Sequence, residues 1–158
     1  MSNANDASWS MQKQLSIGSK AEELFLKYHP DVTRLDGRKG DFIGFTQKKI
    51  ELKADSRSVR DTPNMFVERY SVLSSKKAGG PWQAAEHEVY YFVYLFSCGT
   101  IYWFETAALI EHLERNESTY QSRAIRNRAW TTLGYLVPRA SLEHLIIKKE
   151  NIYDRKVN

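Results

Sequence analysis

The chain has 158 residues, a mass of 18.4 kDa, 42% hydrophobic and 27% charged residues, a net charge of +4 and a pI of about 9.1. That length predicts one globular domain, and 13% aromatic residues argue against a disordered chain. The lone Cys98 excludes an internal disulfide, a zinc ribbon and a CxxC redox site, and His29, His87, His112 and His144 show no metal-ligand spacing.

Residues 1–15 are polar and are expected to be a flexible segment, with one folded domain over 16–158. Met1 to Met11 has no apolar region of the signal-peptide kind, and Val89 to Phe96 is too short to cross a bilayer. The expectation is a soluble, cytoplasmic chain without a membrane partner. Ala21, Leu24, Phe25 and Tyr28 fall on one helical face, with Ser19 and Glu22 as a capping box and Pro30 as the stop. Asp41 to Phe45 and Lys48 to Ala54 read as strands joined at Thr46 and Gln47, a β-hairpin.

Asn64 to Val72 is a third strand, apolar on both faces, expected in the middle of the sheet. Ser74 to Pro81 is a basic, glycine-bearing loop, followed by a helical turn or two over Trp82 to Glu88. Val89 to Phe96 and Thr100 to Phe104 are strands that turn at Cys98 and Gly99. Thr106 to Arg115 is a helix, and Ser118 to Trp130 is a polar, basic stretch compatible with helix. Leu133 to Val137 is a short strand, and Ser141 to Ile147 a terminal helix. This order predicts an α/β fold, a mixed central β-sheet flanked by helices in a single domain.

The chemistry concentrates in the hairpin. On the second strand Ile50 and Leu52 take one face, and Glu51 and Lys53 the other. The turn puts Asp41 across from about Leu52 or Lys53, so Asp41 and Glu51 come within reach of one ion. Two carboxylates make a hard oxygen site of the kind Mg²⁺ takes, completed by water and substrate phosphate. An ammonium beside them can orient or acidify the attacking water or offset transition-state charge. Phosphodiester hydrolysis needs those parts and no protein nucleophile.

Asp41 and Glu51-Leu52-Lys53, ten residues apart on a hairpin, resemble the motif of the PD-(D/E)XK nuclease superfamily, with Gly40 where the motif's name has proline. Gly18 with Ala21-Glu22-Glu23 resembles the family's preceding acidic helix. Asn64 to Glu68 and Gly79 to Ala84 resemble elements of its small phage-type and Holliday-junction-resolvase-like members. The likeness runs roughly from Gly18 to Phe96. It implies a restriction-endonuclease-like fold and a Mg²⁺-dependent endodeoxyribonuclease, with Mn²⁺ able to substitute, leaving a 5′-phosphate and a 3′-hydroxyl. It further implies Asp41, Glu51 and Lys53 as catalytic residues, Glu22 joining Asp41 and Glu51 on the metal, and Glu68 and Gln83 close behind. DNA is the implied partner, and a resolvase would be a homodimer.

Lys76, Lys77, Arg123, Arg126 and Arg128 are the candidate nucleic-acid contacts, the arginines recurring at i, i+3 and i+5. Plainer accounts run alongside. Glu51 and Lys53 can be a surface ion pair, and Glu22 and Glu23 helix-start charges. Glu68 and Arg69 can be a structural pair, Gln83 a helix cap, and the basic residues a solvated surface. The corresponding alternatives are a non-catalytic nucleic-acid-binding protein on a nuclease-like scaffold and a protein-interaction domain.

Overall fold

The computed structural model describes residues 20–35, 41–44, 47–55 and 63–152. The expected flexible segment 1–15, the cap at Ser19 and the turn residue Thr46 lie outside these. Ten described strands form two sheets. Helix α1 (20–28) precedes β1 (Thr33–Arg34), β2 (Phe42–Ile43) and β3 (Lys49–Ala54). Next come β4 (Asn64–Val72), β5 (Lys77–Ala78), α2 (Gly80–Glu86), β6 (Tyr91–Leu95), β7 (Thr100–Glu105) and α3 (Thr106–Asn116). The chain ends on β8 (Gln121–Arg126), β9 (Thr131–Pro138), 3-10 turns over Arg139–Leu145 and β10 (Ile146–Asn151).

The larger sheet has the order β1-β2-β3-β6-β7-β10, mixed because β3 and β6 run parallel while its other pairs are antiparallel. Its central strands are apolar on both faces because two cores cover them. On one side Phe25, Phe42, Ile50, Leu52, Val93, Leu95, Ile101 and Trp103 pack together. On the other, Phe92, Tyr94, Tyr102 and Phe104 pack with Met65, Val67, Leu109, Leu113 and Val137. Phe25, Val93, Ile101 and Phe104 are fully buried, so truncating any one to alanine removes packing worth about 2–5 kcal/mol.

Three expectations change. The strand over Asn64–Val72 is not in the hairpin's sheet: it pairs with β5 and β9 in a second sheet of order β5-β4-β9-β8. Its two apolar faces announce an interior strand but not which sheet takes it. The basic stretch 118–130 is mainly a strand, not a helix, because its backbone groups are taken by β9. The terminal helix is 3-10 turns that bury Leu142, followed by a strand closing the open edge of β7. On α1 the buried positions are Ala21 and Phe25, with Leu24 and Tyr28 half-buried and His29 buried just beyond its end. No helix among the described residues is long and apolar enough to cross a membrane.

Candidate active site

The hairpin forms as its alternation demands: Ile50 and Leu52 are buried, Glu51 and Lys53 half-buried on the other face. Its register pairs Phe42 with Ile50, which sets Asp41 across from Glu51 rather than from Leu52 or Lys53. Before β3, Gln47 is left-handed with φ 64°, and the Gly44 N–H donates to Lys48 O at 3.0 Å. Asp41 is stapled to β3 twice. Its N–H donates to Ile50 O at 3.0 Å, and its Oδ2 accepts from Leu52 N–H at 2.8 Å. The two bonds straddle Glu51, so the Asp41 carboxylate is fixed by backbone on the strand position opposite Glu51, whose own carboxylate is held by a side chain.

Lys53 Nζ lies 3.2 Å from Glu51 Oε1. Glu22, on α1, carries its Oε2 2.9 Å from Arg34 Nη1 and also feels Asp41 and Lys53. Burial pushes all three acids up. Glu22 is raised by burial and by Asp41, against Arg34 and Lys53. Asp41 is raised by burial, against the Leu52 N–H and Lys53. Glu51 is raised by burial and by Asp41, against Lys53. Burial alone would lower the Lys53 ammonium, but Glu51, Glu68 and Asp41 outweigh it and hold it above the ordinary lysine value. Lys53 is therefore a cation at neutral pH, and the acids around it are a repelling set that this one amine does not fully neutralise.

Lys53 opens into a cleft of about 220 Å³ between the sheets, whose walls include Glu68, Phe66, Tyr94, Asn127 and Thr132. Glu68 reaches it because two glycines make room. A Cβ on Gly79 would stand 2.6 Å from Glu68 Oε1, and one on Gly80, at φ +48°, 2.4 Å from Glu68 O. The Gly-Gly pair, read in sequence as part of a flexible loop, is buried packing at the start of α2. Gln83 sits in the first turn of α2 and does not line the cleft.

The basic candidates separate. On a strand, Arg123 and Arg126 take opposite faces. Arg123 is level with Gly134, as is Glu68, so it shares the Glu68 and Phe66 face, while Arg126 turns away and Arg128 lies in the following turn. Lys76 and Lys77 are exposed at the β4–β5 turn, four residues up the strand from Glu68, about 13 Å at strand rise. Asn127, Thr132 and Arg34 had no local sequence signal: they come to the site only by sheet pairing and by the return of β1 to β2.

Among the described residues, no group of three or more Asp, Glu, His or Cys side chains is drawn together as a ready-made metal cage. The donor chemistry present at the β2–β3 hairpin fits a hard cation: two carboxylates on facing strand positions, both raised by burial and Glu51 also by Asp41. Comparison with known proteins finds no matching family model, no matching curated protein and no matching solved structure.

Proposed function

We propose that this chain is a metal-dependent endodeoxyribonuclease of the PD-(D/E)XK kind, hydrolysing DNA phosphodiesters with water as the nucleophile. The supporting observation is Asp41, fixed by the Leu52 N–H and set across from Glu51, whose carboxylate pairs with a protonated Lys53 that lines the cleft, while the two acids stand outside the cleft's walls. Asp41 and Glu51 would hold Mg²⁺ or Mn²⁺, with Glu22 adjoining. The ion when bound supplies positive charge to phosphate oxygens and acidifies water.

The chain's own residues do the rest. The Leu52 N–H fixes the Asp41 carboxylate, so no reorganisation is needed at reaction. The Lys53 ammonium orients water or offsets charge gathering on the scissile phosphate, a cation's role rather than a base's, since its neighbours keep it protonated. Glu68, buttressed by Gly79 and Gly80, holds the amine toward the cleft. Arg123 offers a charge to a neighbouring phosphate from the same sheet face. Cutting is structure-selective or weakly sequence-selective in this reading.

A second reading has its own observation. Glu22 is engaged by Arg34, and Glu51 by Lys53, so the charges partly satisfy each other. That favours a nucleic-acid-binding protein that does not cut. Supercoiled, linear, single-stranded and branched DNA, each with Mg²⁺, Mn²⁺ or EDTA, decides between them. Nicking that EDTA abolishes is the expected result, and salt-sensitive binding without nicking would establish the second reading. A preference for branched DNA would call for two sites and hence a homodimer, which light scattering measures.

A further inference from the structure

The outer strand of the small sheet contributes to neither core. Apart from half-buried Ile125, the residues of β8 are exposed on both faces. The stretch from Gln121 to Thr132 carries Arg123, Arg126 and Arg128 and no acid. None of these arginines makes an ion pair with a described residue. At the tip of the β8–β9 hairpin stands Trp130, 45% exposed. Trp82 and Trp103 are buried, and their ring N–H groups donate to Glu114 and Glu150. Burial of that kind is the usual fate of an indole. The Trp130 ring has no hydrogen bond or ring contact among the described residues.

The register gives its direction. Arg126 pairs with Thr131, and the Asn127 N–H donates to Trp130 O at 2.7 Å, so Asn127 and Trp130 are the next opposed pair. Alternation then puts Trp130 on the face of Ile125, Asn127 and Thr132. Those three line the cleft that holds Lys53, and Asn127 Nδ2 donates to Thr132 Oγ1 at 2.8 Å. Trp130 lies two residues beyond Thr132, about 7 Å at strand rise, and extends that wall past the cleft into solvent.

An exposed indole beside unpaired guanidiniums has both parts of a single-strand platform: the cations track phosphates and the ring stacks on a base. A duplex keeps its base faces inside the stack and offers the ring little. A second copy of the chain docked strand to strand on this edge would bring arginines against arginines.

We propose that the hairpin tip grips an unpaired strand of DNA, with Trp130 stacked on one base and Arg123 and Arg128 on flanking phosphates, and leads that strand to Lys53. The proposal rests on the nuclease reading for the role of the cleft, and it names the substrate as DNA with an unpaired stretch beside the scissile bond.

The test is fluorescence anisotropy in EDTA, with the full chain and a labelled single-stranded oligodeoxynucleotide or the blunt duplex of the same sequence. Trp130→Ala is expected to weaken single-strand binding about ten-fold, the scale of losing one stacked base, and duplex binding far less. Trp130→Phe, which keeps a ring, should recover most of that loss, and neither variant should lower the melting temperature. The proposal is overturned by a parent that does not bind single strands, by unchanged single-strand affinity in Trp130→Ala, or by an equal loss on both DNAs. A lower melting temperature would assign the indole to packing, and a change from dimer to monomer in light scattering would assign the edge to a second copy; either overturns it. Cutting is scored separately, on a tailed duplex in Mg²⁺ with and without EDTA. A selective loss of single-strand binding in a chain that never cuts would keep the grip and sink the nuclease reading. EDTA-sensitive cutting with binding unchanged in Trp130→Ala would do the reverse.

Discussion

Two glutamates, Glu51 and Glu150, sit on opposite sides of the large sheet's strand order and experience burial in opposite ways. The Glu150 side chain is 5% exposed and that of Glu51 15%, and burial pushes both carboxyls up. They nevertheless end on opposite sides of the ordinary carboxylate value. Burial pushes Glu150 up, but His29 Nε2 at 2.8 Å and Trp103 Nε1 at 2.5 Å both meet its Oε1, and with Lys148 at 3.5 Å they hold it below the ordinary carboxylate value. Glu51 is raised first by burial and then by Asp41, against Lys53 and His87. Glu150 is satisfied from within and ties His29, just after α1, to β10. The hairpin acids have fewer hydrogen-bonded donors to offset their burial, the arrangement the proposed metal site would need.

The largest effects should come from abolishing that shortage. Asp41→Asn keeps an acceptor for Leu52 N–H but removes the charge. Metal-dependent cleavage is expected to be lost, while the metal-free melting temperature rises by a few degrees. The sign follows from linkage: a carboxyl raised in the folded state costs stability as pH climbs from its unfolded value, about 3.9, through the raised one, and keeps costing it above. Calorimetry with and without EDTA checks it, and a fall in stability would contradict the burial cost that raises the Asp41 carboxyl.

Lys53→Ala comes next, with cleavage slowed about 10²–10³-fold, the scale of losing one preorganised charge in an active site. DNA affinity should change far less, and single-turnover rates measured beside filter binding separate the two. Parental rates in Lys53→Ala would remove the amine from the mechanism.

On the satisfied side, Glu150→Gln should destabilise the chain by about 2 kcal/mol, the loss of hydrogen bonds to a charged acceptor. Cleavage by the folded fraction should be unaffected. The stability that ionised Glu150 supplies is complete above its unfolded value of about 4.3 and disappears as pH falls through the lower folded value. Urea unfolding between neutral and acid pH should therefore show a steeper acid loss in the parent than in Glu150→Gln.

The smallest effect distinguishes two arginines. Arg123→Ala should lower the salt dependence of DNA binding by about one in slope, as expected for one phosphate contact, and Arg126→Ala by less. Equal slopes would show that the sheet face shared with Glu68 is not the DNA face.

The hairpin was legible because its information is local. Alternation over Lys48 to Ala54 sets Glu51 and Lys53 on one face, and a tight turn brings Asp41 back, so only the register was off, by one or two places. Arg123, Arg126 and Arg128 were misread because spacing on a polar segment fits helix or strand equally until a partner claims the backbone. Glu68 was a candidate in sequence, but the reason it reaches the cleft, the buried Gly79-Gly80 step, was disguised as an ordinary loop.

From sequence alone come the mixed α/β character, the most apolar strands, the helix over Thr106 to Arg115 and the pairing of two acids with an amine, since each depends on residues within about a dozen positions. Folding in three dimensions decided that β4 leaves for a second sheet, that the cleft is walled by Glu68 and Asn127, and that His29 meets Glu150 across 121 positions of chain. Those outcomes depend on which unpaired edges and unburied faces remain once the local pieces exist, a competition among distant segments that periodicity does not encode.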